Sequence, residues 1–310
     1  MNILTIFRHL LWMIMLCSLC GHVYASEAVS HAGFRPSISI GHRTDNLDWS
    51  EASTTVNVRS ELSWQSMQST SIDAGLEYAY SGWQLQGDVG YARINSGTNQ
   101  DSDYNGNNRT LEYSRSNNQA GGTLSDYSIG LGRTLFQGSS SGIAYKLKPL
   151  VGYSLHRQSL TIFDGWQTLP VSASGPIYGL HNTYDAVWKG PWLGAELEFG
   201  HADYTFHSTL KFHSATYSAE ADWNLITGFS HPISFRHSAD GTGYSFSLGV
   251  SRALWKNTSV NVVLDTEYWT TGAGIDQTYN ADGTVSYYSL NGVNWRSTRL
   301  NVGVSGDFFE

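Results

Sequence analysis

Thr258-Ser259-Val260-Asn261-Val262-Val263-Leu264-Asp265-Thr266-Glu267-Tyr268-Trp269 reads as one strand with two unlike faces. Val260, Val262, Leu264 and Tyr268 fall on one side, and Asn261, Asp265 and Glu267 on the other, which is the period of two that an extended chain imposes on its side chains. The pattern recurs outward from this stretch. Leu300, Val302, Val304, Gly306 and Phe308 alternate with Arg299, Asn301, Gly303, Ser305 and Asp307. Tyr244, Phe246, Leu248 and Val250 repeat it, as do Tyr145, Leu147, Val151, Tyr153 and Leu155, and Trp83, Leu85, Val89 and Tyr91. No segment carries a convincing helical stripe, so the chain is all-β.

The links between strands alternate in length. Ser81-Gly82, Gln137 to Gly142, Gly200 to Asp203 and Trp255 to Thr258 are short, and polar stretches near 44–54, 96–123, 160–180, 218–242 and 272–292 separate them. Four short turns and five long loops predict a ten-stranded antiparallel up-and-down transmembrane β-barrel, with the long loops facing the exterior and both termini in the periplasm. A soluble sandwich also alternates, but its short links do not fall regularly at one end.

Composition agrees with a membrane barrel. Only 14% of residues are charged, glycine (32) far outnumbers proline (6), and 11 Trp and 18 Tyr are enough to form girdles at two membrane interfaces. Arg8 precedes the apolar run Leu10 to Leu16, and Val23-Tyr24-Ala25 offers a cleavage site, so residues 1–25 read as a secretory signal peptide and residues 26–310 as a single outer-membrane barrel domain. That run is shorter than the roughly 18 to 20 residues of a spanning helix. Both cysteines, Cys17 and Cys20, fall in the segment expected to be removed, which leaves no thiol chemistry. A net charge of −8 argues against nucleic acid as a partner. The expected location is the outer membrane of a Gram-negative cell.

In so narrow a barrel the inward side chains largely fill the lumen. Asp73, Glu77, Asp88, Lys146, Lys148, His156, Glu196, Glu198, Lys211, His213, Asp265 and Glu267 fall on that face. Their mixed signs predict ion pairs crossing the lumen, favouring a plugged barrel over an open pore. His156 and His213 read as interior histidines and not as metal ligands, because no second His or Cys stands at ligand spacing.

Several short pieces, in order along the chain, together resemble the omptins, ten-stranded outer-membrane endopeptidases with an active site in a groove at the extracellular rim. They include Leu47-Asp48-Trp49, Asp101-Ser102-Asp103-Tyr104, Gly152-Tyr153, Gly190-Pro191-Trp192-Leu193-Gly194, Thr209-Leu210-Lys211-Phe212 and Asn291-Gly292. The resemblance implies an Asp-x-Asp pair at Asp101 and Asp103, facing an Asp-x-His pair across a water. Counting from Lys211, that second pair falls on Asp222 and Asn224, so the histidine is replaced by an amide that cannot act as a base. His213 lies about 30 Å down an extended strand from Asp222, whereas His231 and His237 follow in the same loop and a hairpin there would return either one to Asp222. The resemblance also implies lipopolysaccharide on the outer wall at Tyr153 and Arg157, with Leu155 and Val187 departing from the family pattern.

Polar loop tips also carry acids for solubility alone, and Asp101, Asp103, Asn105 and Asn107 resemble an oxygen-rich calcium loop without its flanking helices. No cofactor is expected beyond lipopolysaccharide as a bound lipid. Three functions follow: a surface structural or binding barrel with an extracellular peptide or protein ligand, an endopeptidase using Asp101, Asp103 and Asp222 with a displaced base, and a narrow pore. The replacement at Asn224 favours the first.

Overall fold

The computed structural model describes residues 32–255 and 257–309; the expected signal sequence lies outside them. Ten long strands run β1 (Gly33–Ala52), β2 (Ser60–Tyr80), β3 (Trp83–Gly106), β4 (Thr110–Arg133), β5 (Ile143–Leu169), β6 (Gly175–His201), β7 (Tyr204–Asp222), β8 (Phe235–Trp255), β9 (Thr258–Thr271) and β10 (Val285–Gly306). Each pairs antiparallel with its neighbours. β10 closes the ring on β1, from Ser37 opposite Ser305 to Ala52 opposite Ser289. Three short segments complete the sheet: Phe136–Ser140 folds onto β5, Gly274–Tyr279 lies between β8 and β10, and Phe308–Phe309 extends the closure onto β1.

The tight turns stand where the alternation puts them. Ser81-Gly82, Ser141-Gly142 and Ala202-Asp203 reverse the chain at one end, with Gly82 and Gly142 in the left-handed region. Short turns mark the periplasmic end of such barrels.

At the other end the expected long loops are mostly strand. Asp101 to Gly106 and Thr110 to Arg115 remain paired, and the connection between them shrinks to Asn107–Arg109. Backbone pairing needs no lipid, and these parts of the strands are polar on their solvent face, which hides the alternation from the sequence. β5 and β6 each run 27 residues, more than twice the roughly 9 to 11 that cross a bilayer, so the barrel rises well above the membrane.

Outward-facing Ile38, Ile40, Ile72, Leu76, Val89, Ile129, Val151 and Val302 form the lipid-facing belt, flanked by exposed Tyr and Trp. Inward positions divide the lumen into three storeys. Along β1 they read Ser37 and Ser39, then Arg43, Asp45 and Leu47, then Trp49 and Glu51. Ser37 and Ser39 line a polar cavity of about 350 Å³ at the periplasmic level, and Trp49 and Glu51 line one of about 400 Å³ above.

Between the cavities lies a packed septum. Trp64, Trp188, Trp269, Trp295, Tyr184, Tyr217 and Leu160 are all at most 2% exposed, and none of them lines either cavity. Trp269 stacks on Trp295 at 5.6 Å and 18° and contacts Trp188 at 5.8 Å. Gly243 makes room for it, since a Cβ there would lie 2.4 Å from the Trp269 ring.

Some charges meet across the lumen as expected: Arg299 of β10 bonds Asp73 of β2 at 2.6 Å, and Lys148 of β5 lies 3.9 Å from Glu77 of β2. Others pair between neighbouring strands, Arg299 with Asp265 at 3.3 Å, Lys148 with Glu196 at 2.5 Å and Lys146 with Glu198 at 3.0 Å. Arg43, absent from the sequence-derived lumen set, grips Asp45 with two bonds of 2.9 and 3.0 Å and reaches Asp126 at 2.5 Å. Asp45 also accepts from the Trp295 indole at 2.9 Å, tying the septum to the ion network.

Candidate binding site in the upper cavity

Two runs of alternation decide which side chains meet here. On β3, Gln84, Gln86 and Asp88 face inward, but the pairing with β2 and β4 shifts between Ile94 and Thr98. This bulge adds a residue to one strand and exchanges the faces beyond it. Asp101 and Asp103 therefore point into the upper cavity, where the sequence reading needs them.

β7 alternates without interruption. His213, Ala215, Tyr217, Ala219 and Ala221 are buried and Trp223 continues the series, while Ser214, Thr216, Ser218 and Glu220 are exposed. Asp222 and Asn224 belong to the outer series and line neither cavity. The expected opposition of Asp222 and Asn224 to Asp101 and Asp103 is thus not what the fold presents. The residue facing Asp101 is Trp223, whose indole N–H donates to Asp101 Oδ2 at 3.4 Å.

Asn224 serves as a clip. Its Nδ2 donates to the Gly179 carbonyl at 2.8 Å, its Oδ1 accepts from the His181 amide at 2.9 Å, and its own amide donates to Asn182 Oδ1 at 3.1 Å. His231 does return to Asp222, with Nδ1 and Oδ1 2.5 Å apart, but this pair sits on the outside of the rim. His213 lies in the lower lumen between Ser154 (3.2 Å) and Ser245 (3.3 Å).

His237 faces inward, on a different partner. Its Nε2 lies 2.9 Å from Asp276 Oδ2 and its Nδ1 2.9 Å from the Tyr184 hydroxyl, which is 2.6 Å from Tyr217. A proton order that satisfies the chain runs from Tyr217 O–H to Tyr184, from Tyr184 O–H to Nδ1, and from Nε2–H to the Asp276 carboxylate. Both ring nitrogens are then committed, so the imidazole has no lone pair to offer a water. It is also sealed in, with 1% exposure and Trp49 edge-on at 4.8 Å.

The cavity wall mixes carboxyl groups and aromatic faces: Glu51, Asp101, Asp103 and Asp276 beside Trp49, Tyr113, Trp223 and Phe235. Burial, then the neighbouring Asp103, pushes the Asp101 carboxyl up to about 8, and burial raises Asp103 as well. Burial and Asp276 push Glu51 up to about 8 against the pull of Arg59, which hydrogen-bonds it. In its acid form Glu51 donates to Asp276. Burial would raise Asp276 too, but hydrogen bonds from His237, Glu51 and Thr278 outweigh it and hold this carboxyl below its ordinary range. Sequence reading missed Glu51, His237 and Asp276 as a group. No motif links them, and only the closure of the ring brings β1, β8 and the Gly274–Tyr279 segment together.

On the outer wall Tyr153 is exposed at 48%, and Arg157 reaches Asp185 at 3.2 Å. The outward position opposite Leu155 is Lys189, which adds a second cation beside Arg157. Among the described residues no three His, Cys, Asp or Glu side chains converge as metal ligands.

The outer membrane protease OmpT of Escherichia coli has a similar fold, with a TM-score of 0.76 at 15% identity over 91% of this chain and 99% of that one. The translocator domain of the autotransporter NalP from Neisseria meningitidis (TM-score 0.37, 13% identity, 97% and 96% covered) and OprG of Pseudomonas aeruginosa (0.32, 12%, 90% and 97%) resemble it far less. No curated protein matches in sequence. The family model described as Pom, Protochlamydia outer membrane protein, matches residues 37–308. A closed ring of ten strands with an apolar belt, an omptin-like fold and a family match spanning nearly all of that ring make this chain an outer-membrane β-barrel of the Protochlamydia outer membrane protein family.

Proposed function

We propose that this protein is a closed surface barrel whose extracellular mouth binds a ligand, and that it is not a peptidase of the omptin kind. The observation carrying this is Trp223, which stands opposite Asp101 where that chemistry needs an imidazole. An indole N–H donates a hydrogen bond but takes up no proton. Among the described residues, the inward histidine at this level is His237, and it is committed on both nitrogens. The septum supports the closed reading, because its aromatics are fully buried and lie between the two cavities.

The test is cleavage of a mixed fluorogenic peptide library by the refolded barrel with lipopolysaccharide added, beside the double variant Asp101→Ala, Asp103→Ala. The expected result is no cleavage by either protein. Activity that disappears in the double variant would refute the proposal. It would turn attention to the one feature favouring a displaced base, the His231–Asp222 pair at the rim, which His231→Ala would then probe.

The outer wall has its own partner in this reading. Arg157 and Lys189, standing just above exposed Tyr153, suit the phosphates of lipopolysaccharide in the outer leaflet. Arg157→Ala with Lys189→Ala should lower the amount of lipopolysaccharide that copurifies with the barrel; an unchanged amount would remove the outer-wall site.

A further inference from the structure

We infer that the upper cavity is a saccharide site, taking one or two sugar rings of a surface glycan against its aromatic walls; this rests on the reading of the mouth as a ligand-binding site. Three features of the cavity lead there.

The first is that its carboxyl groups are already answered from within. Glu51 has Arg59, Asp276 has His237 and Thr278, Asp101 has the Trp223 indole, and Asp103 has the Ser60 and Ser114 hydroxyls. Burial holds Asp101 and Glu51 toward their neutral acid forms. A wall of this kind lacks the unpaired negative charge that would select an organic cation, and the carboxylates do not converge as a metal needs.

Second, a polar atom on the wall remains unused although deeply buried. Trp49 is 4% exposed and its indole Nε1 has no hydrogen-bond partner among the described residues. A hydroxyl group answers this donor and can still donate onward, because it both accepts and donates. A ligand with several hydroxyls can satisfy it and also engage Ser116, Gln167 and Asn182 around the cavity.

Third, part of the wall is aromatic. Trp49, Trp223 and Phe235 pack as a buried cluster, with Trp223 and Phe235 at 4.7 Å and Trp49 and Phe235 at 5.9 Å, and Tyr113, which also lines the cavity, is 47% exposed. The open Tyr113 ring offers an apolar platform on which the C–H face of a pyranose lies, while its hydroxyl edge meets the carboxyls and amides. A volume of about 400 Å³ is small for a folded peptide segment and falls within the range of small-molecule pockets.

The test uses the full barrel refolded in a detergent without a sugar head group, with folding verified by heat-modifiable gel migration. Glucose, galactose, mannose and N-acetylglucosamine are the probes, read by saturation-transfer NMR with irradiation of the protein's aromatic protons and by titration calorimetry. The expected result is saturable binding of at least one sugar, with transfer strongest to ring C–H protons. Tyr113→Ala should weaken that binding by about tenfold through loss of the open ring face, and Asp101→Leu should weaken it similarly. Asp222→Asn, outside the cavity, should leave it unchanged. Benzylammonium is the counter-probe. If it binds and no sugar does, the saccharide assignment is overturned while the mouth stays a binding site. If neither binds and the peptide library is cut, both the assignment and the reading beneath it fail. Sugar binding that survives both cavity variants would also overturn the assignment.

Discussion

Truncating the septum should both loosen the barrel and open it. Trp269 is the side chain to remove first: it is 1% exposed, stacks on Trp295, and packs against His213 at 4.5 Å and His156 at 4.8 Å. A tryptophan of this kind buries about 200 Å² of largely apolar surface, which at about 25 cal/mol per Å² amounts to about 5 kcal/mol. Measured large-to-small substitutions at such sites cost about 3 to 5 kcal/mol. Trp269→Ala also removes the indole N–H that reaches Glu267 Oε2 at 2.9 Å, leaving a carboxylate short of a donor. Equilibrium urea unfolding in lipid vesicles should show the loss, and a change below about 1 kcal/mol would mean that the septum is not packed as described. The functional consequence is separate. Wild-type protein in a planar bilayer should show no steady conductance at neutral pH, whereas Trp188→Ala, Trp269→Ala and Trp295→Ala together remove the wall between the two cavities and should give resolved current steps. Steady wild-type steps of the same size as those of the triple variant would refute the closed barrel directly, whatever the stability result.

Three further outcomes follow from buried polar groups. Tyr184→Phe strips a hydroxyl from between His237 and Tyr217 and leaves both short of a partner, so it should destabilise the barrel by about 1 to 3 kcal/mol in the same unfolding assay. Arg43→Met leaves Asp45, which is fully buried, and Asp126 without their shared cation, an expected loss of about 3 to 5 kcal/mol; a neutral result would show that these acids are protonated or hydrated instead. Stability should also fall as pH rises. Asp101 is pushed up to about 8 in the folded barrel from an ordinary 3.8, so its contribution is complete below pH 4 and is lost as pH climbs through 8, at up to about 1.4 kcal/mol per pH unit. Denaturation midpoints at pH 5 and pH 9 measure this directly. Asp101→Asn should flatten the decline, and a wild-type midpoint no lower at pH 9 would contradict the burial argument.

The architecture was legible because a barrel wall writes itself into sequence every second residue. Val260, Val262, Leu264 and Tyr268 face outward on β9 as the alternation predicts, and Ser81-Gly82 turns where it should. The strand extensions above the membrane were not legible. With solvent outside and a mixed polar lumen inside, residues such as Asp101 to Gly106 lose the contrast between faces and look like loop. Nor was the septum visible: Trp269 and Trp295 oppose each other on neighbouring strands, but Trp188 stands on β6 and meets them only across the lumen. His237 and Asp276 are hidden for another reason: they oppose each other directly, but on a six-residue strand, Gly274–Tyr279, within a stretch read as loop.

The candidate site turns on parity more than on identity. The sequence-level comparison matches residues by order and spacing, and by that measure Asp222 and Asn224 are the partners of Asp101 and Asp103. A β-strand applies a second condition, that an even step keeps a side chain on its face and an odd step moves it to the other. Lys211 lines the lumen, and Asp222 is an odd number of residues beyond it on a strand without a bulge, so its outward direction was already present in the sequence. On β3 the same condition would have turned Asp101 and Asp103 outward as well, had the bulge between Ile94 and Thr98 not exchanged the faces. One strand therefore has the irregularity that brings its acids into the cavity, and the opposite strand lacks the one that would bring a second pair to meet them. What meets Asp101 is an indole, and around it lie hydroxyls, amides and aromatic faces suited to holding a polar ring. This departure is a matter of geometry on β7, and restoring a histidine at Asn224 alone would place it on the outer face, beside the loop that Asn224 now clips.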